Sequence, residues 1–204
     1  MPNSRERALF HFSPSVEAYY KNDKVRSAVN LIVDQGLVFA PESNEWDQVE
    51  TYYDAVVSAL QTQVDLAKDM FRLWMAVWGD YPRDWKPLPA DPKDEELSLD
   101  PQLRWDGEYF ERHFTRSGRT IKLWVMPGEE PDALGKTEIA FDVTHGARSL
   151  LKKGLAWPAS RAGWRFSDGA MRLKSGVGYA DGLDLTSFKA AATEALAFLK
   201  EFEG

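Results

Sequence analysis

The chain is predicted to adopt an α+β fold: an N-terminal helical hairpin, then a βββαββα antiparallel sheet with helices on one face. Three observations predict it. From Glu45 to Trp78 there is no proline or glycine, and apolar residues recur every three or four positions. Ser117-Gly118 and Asp168-Gly169 each separate two alternating runs, as two-residue hairpin turns do. From Thr186 onward a second amphipathic pattern carries Phe188, Ala192, Ala195, Leu196, Leu199 and Phe202 on one side.

The long helix is expected over about 45–78. Ser43 or Asn44 can cap it, and Glu45 and Asp47 suit the positive end of its dipole. Gly79 and Pro82 stop it. Its expected buried stripe is Val49, Tyr52, Val56, Leu60, Val64, Ala67, Phe71, Trp74 and Trp78. At 1.5 Å per residue such a helix is roughly 50 Å long, more than a domain of this size is wide. Either it breaks near Gln61-Thr62-Gln63 or it protrudes and pairs with another subunit, giving a homodimer through the long helix. A shorter helix from about Asp23 to Gln35, closed by Gly36, forms the other arm of the hairpin, with Val25, Ala28, Val29, Ile32 and Val33 inward. Ser13-Pro14-Ser15 can open a further short helix through Val16, Tyr19 and Tyr20.

Residues 1–79 thus read as a helical region and 80–106 as a strap. Five of the eleven prolines (Pro82, Pro87, Pro89, Pro92 and Pro101) lie in this stretch. Proline fixes φ and pushes its predecessor towards extended geometry, so the strap is expected to be neither helix nor sheet. Trp85, Leu88 and Trp105 should pack it along a surface.

Residues 107–204 read as the sheet region. With Ser117-Gly118 as a turn, Phe114 faces Ile121 and Phe110 faces Val125, while His113 faces Lys122 and Glu111 faces Trp124 on the other side. Arg112 then shares the apolar face, opposite Leu123, and needs a partner or an open edge there. A third strand from Thr137 to Thr144 points Ile139, Phe141 and Val143 inward. A helix is expected from about Gly146 to Leu155, bearing Arg148, Lys152 and Lys153. The Asp168-Gly169 hairpin then sets Trp164, Phe166, Met171 and Leu173 on one face and Arg165 opposite Arg172 on the other.

Composition narrows function. Residues 1–100 carry 10 Lys and Arg against 18 Asp and Glu; residues 101–204 carry 15 against 14. The acidic half is a poor match to phosphate backbones. There is no cysteine, which removes disulfides and thiolate chemistry. No apolar run of about 18 residues occurs, so no spanning helix is expected and a cytoplasmic location is. No Walker loop, G-x-S-x-G elbow or H-E-x-x-H is present; the glycines from Gly176 to Gly182 read as a turn.

Candidate chemistry is scattered. Asp142 and His145 could be two metal ligands or an acid–base pair, and Glu138 lies on the face of Asp142 with Lys122 within reach. A third ligand is not identifiable, and a turn-capping Asp142 explains the same residues. Arg165 opposite Arg172 is unfavourable unless a carboxylate or an anion lies between them. Trp124, outward with Tyr109 and Met126, needs a cover; aromatic residues and arginine are enriched at interface centres.

These features favour a macromolecule-binding protein of inhibitor, immunity or adaptor type, with no cofactor, acting on another protein. Its contact residues are expected to be Trp124, Tyr109, Arg165, Arg172, Lys152 and Lys153, together with an acidic helical face. The alternative is a nucleic-acid-directed protein, including a metal-dependent hydrolase, using the basic C-terminal surface with Glu138, Asp142 and His145.

Overall fold

The computed structural model describes residues 9–35, 46–88, 103–105, 110–126, 137–151, 163–174 and 182–202. Strand β1 (Leu9–Phe10) leads into helices α1 (Pro14–Lys21), α2 (Asp23–Gln35) and α3 (Trp46–Trp78). Strands β2 (Lys86–Pro87), β3 (Leu103–Trp105), β4 (Phe110–Arg116), β5 (Arg119–Met126), β6 (Glu138–His145) and β7 (Arg148–Ser149) follow. Then come β8 (Arg165–Ser167), β9 (Ala170–Lys174), β10 (Leu183–Asp184) and helix α4 (Thr186–Glu201). Among the described residues the main sheet has eight antiparallel strands, in the order β2-β4-β5-β6-β9-β8, with β3 also on β4 and β7 also on β6.

Both expected hairpins form in the expected register. Phe114 faces Ile121 and Phe110 faces Val125 across the first; Arg165 faces Arg172 across the second. Ser117 and Gly118 both take positive φ, as do Asp168 and Gly169, the geometry whose twist matches that of the flanking strands. The apolar sides of β4, β5, β6 and β9 then lie on one face: Phe114, Ile121, Leu123, Phe141, Met171 and Leu173 are all buried.

Helices α3 and α4 cover that face. Trp74 Nε1 donates to the Leu123 carbonyl at 2.9 Å, and Trp78 Nε1 to the Trp124 carbonyl at 3.1 Å. Phe198 of α4 lies 6.4 Å from Phe141. Arg116 and Arg119 donate to the carbonyls of Leu199 and Phe202, so two cations close the negative end of α4. Arg112 solves its exposure to the apolar face by lying 5.4 to 5.8 Å from the rings of Trp74, Tyr81 and Phe114. It also donates to Tyr81 Oη at 3.3 Å. An aromatic face attracts a guanidinium through its quadrupole.

Helix α3 runs unbroken through Gln61-Thr62-Gln63 for 33 residues. Its core row is Ala59, Leu66, Met70, Leu73 and Val77, with Trp74 and Trp78 beside it. Leu60 and Val64, expected inside, are exposed. Val56, Ala67, Trp74 and Trp78 of the expected stripe are buried and Tyr52 and Phe71 half-buried, so the core side overlaps that stripe but is centred to one side of it. The helix carries apolar residues on both sides, so periodicity alone does not select which side is core.

Two acids of α3 anchor α1. Asp69 is 1% exposed; its carboxylate accepts the Ser13 N–H and, at 2.7 Å, Arg72 Nη1. Asp65 accepts the Ser15 hydroxyl at 2.8 Å. Both carboxylates face the positive end of α1. Asp69→Ala is expected to lower stability by about 2 kcal/mol, because the half-buried Ser13 N–H and the Arg72 guanidinium both lose their acceptor. Urea unfolding checks this, and a loss under ~0.5 kcal/mol would contradict it.

Two expectations are corrected. The strap is not free of sheet: Lys86–Pro87 and Leu103–Trp105 both pair with β4. Proline is tolerated on such an edge because no ladder donor is demanded of it. Nor does a helix begin at Gly146. Gly146 takes φ +57° in a tight turn that returns Arg148–Ser149 onto β6. Leu150 N–H then donates to the Val143 carbonyl at 2.7 Å. Lys152 and Lys153 lie outside the described residues.

Candidate functional site

The sheet face turned away from the helices follows from strand alternation. One row across it reads Glu111, Trp124, Ala140, Arg172, Arg165, and the next His113, Lys122, Asp142. Although polar, this face is far from solvated at its centre: His113, Glu138, Asp142 and Thr144 are buried.

Ala140 is the small residue in the first row. Across it the Arg172 guanidinium lies 5.8 Å from the Trp124 ring. Arg172 Nη1 also donates to Glu138 Oε1 at 2.7 Å, and Glu138 is 2% exposed. The opposition of Arg165 and Arg172 is thereby resolved from within the sheet: Arg172 turns to a carboxylate and an indole, while Arg165 stays exposed. Trp124 is half-buried beneath this pair. Tyr109, expected beside it, lies outside the described residues.

The metal candidates are not brought together. Asp142 and His145 are three positions apart on one strand and so point to opposite faces. Asp142 Oδ1 accepts the Val143 N–H and the Ser149 hydroxyl, each at 2.7 Å. The same hydroxyl lies 2.8 Å from the Gly169 carbonyl, so its single hydrogen serves one acceptor at a time. Ser149, on β7, is thus seated between Asp142 of β6 and the Gly169 carbonyl in the β8–β9 turn. His145 is exposed, with Nδ1 3.2 Å from the Gly118 carbonyl. Glu138 lies four residues from Asp142, about 13 Å along the strand, too far to share an ion. Among the described residues no group of three His, Asp or Glu could hold a metal. His113, on the polar face, is buried with Nε2 2.9 Å from Glu111 Oε1. This contact is ionic when the ring is protonated and is not an in-plane hydrogen bond.

A hollow of about 300 Å³ opens between the β4–β5 turn and the end of α4, lined by Arg116, Arg119, Val143 and Phe202. Both arginines already donate to helix carbonyls, so their charge serves the cap.

The outward side of α3 is different in kind. Tyr53, Val57, Leu60 and Val64 are 51, 64, 44 and 39% exposed. Their spacing of four, three and four places them in one row, the seam of a helix pair. Asp47, Glu50, Asp54, Gln61 and Lys68 flank it, all exposed. Sequence reasoning placed Leu60 and Val64 in the core and did not single out Tyr53 and Val57; the signal was there, as a second apolar row beside the first.

Comparison with protein-family models, curated proteins and solved structures finds no match for this chain. No helix described is long and apolar enough to cross a membrane.

Proposed function

We propose that this protein works by association with another protein chain, and that the outward face of α3 is its contact surface. The observation that supports this is the exposed row of Tyr53, Val57, Leu60 and Val64, on the far side of a helix whose other side fills the core. Large apolar side chains in one exposed row are costly in water and mark contact surfaces. The acidic residues beside the row supply the polar rim such surfaces have. An inhibitor, immunity or adaptor role would use the face in this way.

The nucleic-acid reading has less support. Arg148 and Arg165 are exposed, but Arg172 spends its charge on Glu138. In a lysate of the native host the wild-type chain is expected to migrate in an assembly larger than its own 23.2 kDa. Val57→Glu should return it to the single-chain position, because a buried carboxylate without a partner is strongly disfavoured. A wild-type chain running alone, or an assembly indifferent to Val57→Glu, contradicts the proposal.

A further inference from the structure

We infer that the occupant of the outward face of α3 is a second copy of the chain, laid antiparallel; the inference rests on the contact surface proposed above. The argument is one of register and charge. A two-fold axis crossing α3 between Ser58 and Ala59 sets Val57 against the partner's Leu60 and Tyr53 against the partner's Val64, closing the row upon itself. These are the mixed layers of an antiparallel helix pair. In the same register Asp47 and Glu50 of one copy come beside Lys68 of the other, and Asp54 comes beside Gln61. All five side chains are exposed on the flank of the row.

A parallel pair fails on charge. It turns the flank of Asp47, Glu50 and Asp54 towards the opposite flank of the partner, where Val56 and Ala59 are packed in the core, so the acids do not meet Lys68. Acids at one end of the row and Lys68 at the other suit the antiparallel sense. Beyond Val64 the next positions of the row, Ala67 and Phe71, pack inward, and the exposed path continues beside them along Lys68, Arg72 and Met75. The amino-terminal turns of a partner helix can therefore lie along it. A symmetric self-contact of this type is the commonest way soluble chains associate.

Light scattering on the purified full-length chain at roughly 50 μM tests the inference, within the range of micromolar contacts. The expected mass is twice 23.2 kDa for wild type and the single value for Val57→Glu. Lys68→Glu should weaken self-association about ten-fold, and adding Asp47→Lys should recover it. Orientation is read separately. The chain has no cysteine, so a single Gln61→Cys or Met75→Cys variant takes one nitroxide. At 1.5 Å per residue, antiparallel pairing predicts label separations near ~15 Å at position 61 and about 50 Å at position 75. Short separations at both positions overturn the antiparallel arrangement. A purified wild-type chain that stays monomeric overturns the self-contact. If the lysate assembly is then still lost on Val57→Glu, the contact surface stands with a foreign occupant; if there is no lysate assembly either, both fall.

Discussion

Trp74→Ala is expected to lower stability by about 4 kcal/mol, a large share of what holds a domain of this size together. Three effects act in the same direction. The indole is fully buried, and its removal leaves a cavity between α3 and the sheet. Its Nε1 bond to the Leu123 carbonyl, which fixes the helix to β5, is lost. It also forms one side of the aromatic enclosure of Arg112, stacked at 6.4 Å on Phe114 and tilted at 6.0 Å from Tyr81. Opening that enclosure leaves a buried guanidinium with fewer favourable neighbours. Trp74→Phe keeps most of the volume and loses the hydrogen bond, so about 2 kcal/mol is expected. Urea unfolding with an unchanged slope measures both; an alanine effect below ~1.5 kcal/mol would mean that α3 is not seated on the sheet as described.

Glu138→Leu is expected to cost about 3 kcal/mol, because it strips the carboxylate from an arginine in a mostly buried position. Arg172 has no other carboxylate partner among the described residues, and its Nε is already buried without a hydrogen bond. The informative variant removes both ends. Glu138→Leu with Arg172→Leu should recover to within about 1 kcal/mol of wild type, since neither charge then has to be desolvated. Equal losses in the single and double variants would show that Glu138 acts through some other contact.

What could be read from the letters follows the range of the interactions. The hairpins at Ser117-Gly118 and Asp168-Gly169 were legible because turn chemistry and strand alternation are local. The two sheet faces came with them, and with the faces the clash of Arg165 with Arg172. Its resolution was not legible, because Glu138 meets Arg172 only when β6 pairs with β9, across 34 positions. The segment after His145 reads as a helix start, and the deciding contacts are the distant ones of Ser149 to Asp142 and Gly169. The core side of α3 was ambiguous for a different reason. Val57 and Leu60 are as apolar as Ala59 and Leu66, and only docking of the helix on the sheet separates them. The opposite facing of Asp142 and His145, in contrast, was available from the two-residue period of a strand.

Whether the outward row of α3 is a contact surface is tested most directly by hydroxyl-radical footprinting of the assembly recovered from the native host, against the dilute purified chain. Tyr53 and Leu60 should lose reactivity several-fold in the assembly. Leu31 of α2, which is 55% exposed and outside the row, should not change. Protection that falls elsewhere, with Tyr53 and Leu60 as reactive in the assembly as in the free chain, would contradict it.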